Sequence, residues 1–95
     1  MQQITIVSES MIALKPLLES AIQTELHMIG IGIERTQQRM SEFERQYAMT
    51  SCKFEQLFDS GEIDETLDYI EWSGEIETLR RLQAKYQTLQ RAQLS

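Results

Sequence analysis

The chain has 95 residues, 41% of them hydrophobic and 25% charged, with four glycines, one proline and one cysteine. That size allows one domain, too apolar for a disordered chain and too poor in Gly and Pro for a loop-rich β sandwich. Fifteen acids against nine bases leave a formal charge of −6, which disfavours general adhesion to nucleic acid or anionic lipid.

The lone Cys52 rules out an internal disulfide and a CxxC metal or redox site. No apolar run approaches the roughly 18 residues of a membrane span. Met1-Gln2-Gln3-Ile4 has neither the basic region nor the apolar stretch of a signal peptide. A cytoplasmic protein that does not enter membranes is the expectation.

In chain order, Gln3-Ile4-Thr5-Ile6-Val7 alternates β-branched and polar residues and reads equally as a short strand or an extended lead-in. Residues 1–14 are therefore expected to be extended or weakly ordered, with residues 15–95 forming one helical domain. Pro16 fits best in the first turn of a helix, where its missing N–H is not needed. A firm helix is expected over about 15–48. Its seam is Ile22, Leu26, Ile29, Ile33, Thr36, Met40, Phe43 and Tyr47, spaced 4, 3, 4, 3, 4, 3 and 4. Such a repeat marks a helix that packs lengthwise on another. Gly30 and Gly32 interrupt it, and read either as a close helix crossing or hinge, or as tolerated defects costing about 1 kcal/mol each.

Thr50-Ser51 offers a cap for a short helix over 52–59, burying Phe54, Leu57 and Phe58. Asp59-Ser60-Gly61 is the clearest turn. A last helix is expected over about 64–93, with Leu67, Ile70, Trp72, Ile76, Leu79, Leu82, Tyr86 and Leu89 on its apolar side.

The fold class is therefore all-α: a long antiparallel helical hairpin with a short corner helix. The first helix would be about 50 Å long, whereas a compact globule of this size is only about 25–35 Å across. Two helices leave part of each apolar stripe open, so the hairpin is expected to form a bundle on dimerisation, with Ile22, Leu26, Ile29, Ile33, Met40, Phe43 and Tyr47 as the oligomer seam.

Charge is sorted along the chain. Nine acids and no Lys or Arg lie between Glu55 and Glu77, and four bases with no acid lie between Thr78 and Ser95. Helix-dipole complementation accounts for the direction of this gradient. The excess of acid reads as a docking surface for a small basic protein, or as pairing between antiparallel copies. Five aromatics, Tyr47, Phe54, Phe58, Tyr69 and Trp72, fall within the 26 residues 47–72, which overlap the acidic segment. They read as a lock holding the short helix across the long ones, or as anchors of a docking site. The partner-binding set expected from the second reading is Phe54, Phe58, Glu62, Asp68, Tyr69 and Trp72.

Candidate chemistry is sparse. Asp64, Asp68, Glu71 and Glu75 have the 4-3-4 spacing of one helical face, on which carboxylates can hold Mg²⁺ or Mn²⁺ for nucleotide hydrolysis. The facing ExxE or ExxH that such sites use is missing from the first helix, so a solvated acidic face is the plainer reading. His27 has no nearby nucleophile in the sequence, Cys52 has no paired His, and no glycine-rich phosphate loop, GxSxG or HExxH occurs. No cofactor is expected. The outline strand, helix, turn, helix invites comparison with ribbon-helix-helix DNA binders, but no Lys or Arg precedes Lys15.

Tyr47-Ala48-Met49-Thr50-Ser51, then Phe54, Phe58, Gly61-Glu62 and Asp68-Tyr69-Ile70-Glu71-Trp72, resembles small uncharacterised all-helical prokaryotic proteins of antitoxin-like type. The resemblance covers about residues 34–90 and implies a helical binding module without catalytic residues. The expected function is non-catalytic protein binding as a homodimer or higher homo-oligomer. The alternatives are a metal-dependent nucleotide hydrolase and a purely structural homo-oligomer.

Overall fold

The computed structural model describes residues 2–94, and the side chains of residue 12 and residues 14–93. Three helices follow one another: α1 (Gln2–Tyr47), α2 (Ser51–Asp59) and α3 (Leu67–Leu94). No strand occurs among the described residues, and none of the helices is long and apolar enough to cross a membrane.

The expected extended lead-in over 1–14 is replaced by helix from Gln2 onward, while Met1 lies outside the described residues. A strand there would have no neighbour to pair with, whereas β-branched residues cost a helix only a few tenths of a kcal/mol each, about 0.7 at most. Pro16 consequently sits inside α1, not in a first turn. Its ring removes the N–H that would bond the Ile12 carbonyl one turn earlier. Gly30 and Gly32 leave the helix unbroken. At Gly32 the close-crossing reading has a concrete basis, since a Cβ there would lie 3.3 Å from Leu82 Cδ1 of α3.

Both corners are built from the same device. Ala48 adopts φ +52°, and the next amide, Met49 N–H, donates to the Glu44 carbonyl at 3.2 Å. Gly61 adopts φ +76°, with Gly61 N–H donating to Phe58 and Glu62 N–H to Leu57. These left-handed residues with their backward hydrogen bonds close α1 and α2. Thr50 caps α2 by accepting from Lys53 N–H at 3.1 Å, and the Glu44 carboxylate accepts from Ser51 N–H at 2.7 Å. The cap of α3 is Thr66, whose hydroxyl accepts from Tyr69 N–H at 3.1 Å. This helix therefore begins after Asp64, later than the acid pattern predicts.

α3 folds back antiparallel to α1. Tyr47 meets Asp68, Arg39 meets Glu75, Gly32 meets Leu82, and Gln23 lines one groove with Gln90 and Gln93. Leu26, Ile29 and Thr36 are buried, and Ile22, Ile33, Met40, Phe43 and Tyr47 are partly covered. The premise that the 22–47 ridge must borrow cover from another chain is thus corrected, because α3 runs beside it for its whole length. At 28 residues against 46, however, α3 stops well short of the beginning of α1. The molecule is a rod of 66 × 22 × 21 Å with a radius of gyration of 20.3 Å, against about 12 Å for a compact chain of this length.

The two left-handed corners differ in their residue, and the difference is measurable. Ala48 is exposed, and alanine carries a Cβ penalty that glycine lacks. Ala48→Gly is expected to stabilise the fold by about 0.5–1 kcal/mol, raising the melting temperature by several degrees, and Gly61→Ala to destabilise it by a similar amount. Thermal unfolding followed by circular dichroism checks both signs.

Candidate functional site

The aromatic residues of the 47–72 stretch converge where α2 crosses the α1/α3 hairpin. Trp72 on α3 and Phe54 on α2 are completely buried and stack nearly parallel, with ring centroids 4.0 Å apart and planes at 3°. Phe43 and Tyr47 of α1 stack on Trp72 at 5.6 and 6.0 Å. Tyr69 meets Tyr47 edge-on at 5.0 Å, and Phe58 stacks on Phe54 at 5.3 Å. Ile76 closes the cluster from the next turn of α3.

The polar atom in this core is satisfied. Trp72 Nε1–H donates to Ser51 Oγ at 2.9 Å, and both side chains are buried. The hydroxyl at the start of α2 is therefore a partner for the indole, while capping falls to Thr50. At the rim, the Tyr47 hydroxyl donates to the Asp68 carboxylate, which Gln46 also approaches at 3.5 Å. The hydrogen bond to Asp68, followed by burial and the carboxylate's charge, pushes the phenol up from 10.0 to about 12.

Two members of the expected partner-binding set, Phe54 and Trp72, have no surface with which to touch a partner. They are core, and the docking reading of these residues is corrected accordingly. Phe58, Asp68 and Tyr69 are half-buried in the same cluster, and Glu62 is exposed beyond the second corner. The lock reading accounts for the aromatics, because flat rings stacked across three helices hold their crossing angle.

The four-carboxylate face is not assembled. Asp64 precedes α3, Asp68 is engaged with Tyr47, and Glu75 pairs with Arg39 at 3.2 Å. Glu71 points to solvent. Among the described residues no three His, Cys, Asp or Glu side chains are grouped so as to share an ion. Glu75 is mostly covered, and its second oxygen has no hydrogen-bond partner. His27 lines the groove with Gln23, Leu26, Gly30, Tyr86 and Gln90. It lies about 30 Å along α1 from the corner that carries Cys52, so the two do not form a nucleophile–base pair.

What the molecule presents outward is of two kinds. Asp59, Glu62, Asp64, Glu65, Glu71 and Glu77 form an exposed acidic flank, while Arg80 reaches Glu55 at 2.5 Å and Glu77 at 3.9 Å. Nearer the beginning of α1, Ile12, Leu17 and Leu18 are 75%, 66% and 53% exposed. Ile12 falls in the expected lead-in over 1–14, and Leu17 and Leu18 precede the expected seam, which starts at Ile22. For Leu18 the signal was present in the spacing Leu14, Leu18, Ile22 and Leu26, while Ile12 and Leu17 lie off that series.

No family model matches the chain, and neither a curated protein nor a solved structure does.

The buried stack has two measurable consequences. Trp72→Ala is expected to cost about 3–5 kcal/mol, with helix content and near-ultraviolet signal lost together in a thermal melt. Alkaline pH should also loosen the corner. A phenol whose pKa is higher in the folded state contributes stability that is complete below about pH 10 and is lost as pH rises through about 12. Tyr47→Phe should remove that alkaline limb from the pH dependence of the melting temperature.

Proposed function

We propose that this chain is a non-catalytic helical module whose work is to bind protein. It acts as a homodimer and uses its acidic flank to receive a small basic partner, in the manner of an antitoxin-like protein. The observation that carries this reading is the large apolar surface left over after the hairpin has closed: Ile12, Leu14, Leu17 and Leu18 stay exposed on α1. Single exposed leucines are ordinary, but a cluster along one helix marks an interaction surface. The acidic flank supports the second half of the proposal, because a one-signed surface steers an oppositely charged partner and disfavours wrong ones. With Phe54 and Trp72 inside the core, recognition by this flank is electrostatic, with Phe58 and Tyr69 contributing only their uncovered edges.

The test has two arms. Sedimentation equilibrium of the purified chain is expected to give a dimer in the micromolar range. Co-purification from the native host is expected to retain one small basic protein. The combined substitution of Glu62, Glu65 and Glu71 by Gln should release that protein while the dimer persists. A chain that stays monomeric and retains no second protein overturns the proposal. A dimer that retains nothing would leave the purely structural homo-oligomer as the better reading.

A further inference from the structure

Three of the four glycines have a reason within the fold, and Gly74 does not. Gly61 takes a left-handed φ of +76°, while a Cβ would lie 3.3 Å from Leu82 at Gly32 and 4.0 Å from Tyr86 at Gly30. Gly74 sits in the interior of α3, and a Cβ there would meet nothing within 4 Å. The chain itself gains nothing from this residue, since only proline is less favourable inside a helix.

Gly74 also completes an exposed hole. Leu67, Ile70, Glu71 and Gly74 stand at i, i+3, i+4 and i+7, the four corners between which a facing helix inserts a side chain. Leu67 is 86% exposed and Ile70 51%, and Glu71 and Gly74 are exposed as well. The core side of α3 points the other way, through Trp72 and Ile76.

Charge specifies what suits this hole. Asp64 and Glu65 precede it, Glu71 and Glu77 flank it, and no Lys or Arg occurs between Lys53 and Arg80. Arg80 takes up Glu55 and Glu77, which leaves Asp64, Glu65 and Glu71 at the edge of the apolar corners.

We infer that a helix of the basic partner crosses α3 here, seating an apolar side chain between Leu67, Ile70 and Gly74, with Lys or Arg beside it against Glu65 and Glu71. The inference rests on the role of the acidic flank proposed above and adds an apolar anchor to it. Helices ordinarily pack with axes about 8–10 Å apart. Without a Cβ at Gly74 the partner comes in at the near end of that range, and its bases reach the carboxylates.

A second copy is a poorer occupant. Leu14, Leu17 and Leu18 are exposed on α1, but Lys15 among them is offset by Glu19, and beside Ile31 Arg35 is offset by Glu34. The basic end of α3, with Arg81 and Lys85, carries no exposed large apolar residue among the described side chains. A copy thus brings apolar surface or positive charge, and the hole asks for both on one face.

The probe is a fluorescein-labelled helical peptide of about 20 residues, with Leu at 3-4 spacing and Lys and Arg on either side. One control scrambles the Leu positions, and the other keeps them but carries Glu in place of Lys and Arg. Anisotropy titration of the full chain is expected to show binding of the first peptide, and binding roughly tenfold weaker or less for either control. Leu67→Ser with Ile70→Ser should weaken binding by roughly tenfold or more. Gly74→Gln should weaken it similarly while raising the melting temperature by several degrees, a combination that a merely structural glycine does not give. A basic peptide that binds these variants as it binds the wild type, or no better than its scrambled control, overturns the apolar anchor and leaves the flank as a purely electrostatic receiver. Failure of the basic peptide to bind, or equal binding of the Glu form, overturns the inference, while the flank's role is still decided by the co-purification above. A lower melting temperature for Gly74→Gln gives the glycine a role within the fold and overturns the inference too. A dimer that Gly74→Gln dissociates in sedimentation equilibrium assigns the hole to a second copy and overturns the basic partner as its occupant.

Discussion

The stack of Trp72 on Phe54, with the indole N–H delivered to Ser51, is the interaction from which the rest of the geometry follows. It ties a residue early in α3 to the first two turns of α2, which directly follow the end of α1. Once those three elements are joined at one point, α3 has no freedom to slide along α1. Its register is set at Tyr47–Asp68 and carried down the hairpin through Arg39–Glu75 and Gly32–Leu82. The place where α3 ends, and hence how much of α1 is left bare, is decided at the opposite end of the molecule.

Much of this arrangement was legible in the residues, for reasons that differ by element. The seam from Ile22 to Tyr47 was readable because a 4-3 spacing has no other economical explanation than a lengthwise helix contact. The short helix was readable from Thr50 and the Gly61 turn. The beginning of α3 was misplaced because Asp64 looks as suitable a cap as Thr66, and only the hydrogen bond to Tyr69 N–H distinguishes them. The amino-terminal helix was missed because β-branched residues and a proline weigh locally against helix, yet a strand without a neighbour is worse. Local preference of a few tenths of a kcal/mol per residue loses to the alternative's lack of any hydrogen-bond partner.

The candidate site was misread through its aromatics. Five rings among acids describe equally a docking patch and a helix lock, since both need flat apolar surface close to polar solvent. Burial separates them, and burial depends on whether the three helices cross at one point. Here they do, so the rings are used up inside. What remains outside is an acidic flank near the corner, where Leu67 and Ile70 are also exposed, and aliphatic surface at Ile12, Leu14, Leu17 and Leu18 on α1. These two surfaces suit different partners: the first attracts over distance and is weakened by salt, while the second excludes water at contact and is not.

That separation bears on how folding and association are linked. The head of the molecule has a core of its own around Trp72. Among the described side chains before Ile22 none is buried, and this stretch contains Pro16, which removes one hydrogen bond of the helix and crowds the preceding turn. Isolated helices of about 12–15 residues are marginal in water even without a proline. Helical order around Leu14, Leu17 and Leu18, which stay exposed beside this proline, therefore gains little from side-chain burial in the chain's own hairpin. Cover from a second copy would stabilise helix and interface in one step. The association free energy is then smaller than the buried area alone implies, because part of it goes into ordering the segment that makes the contact.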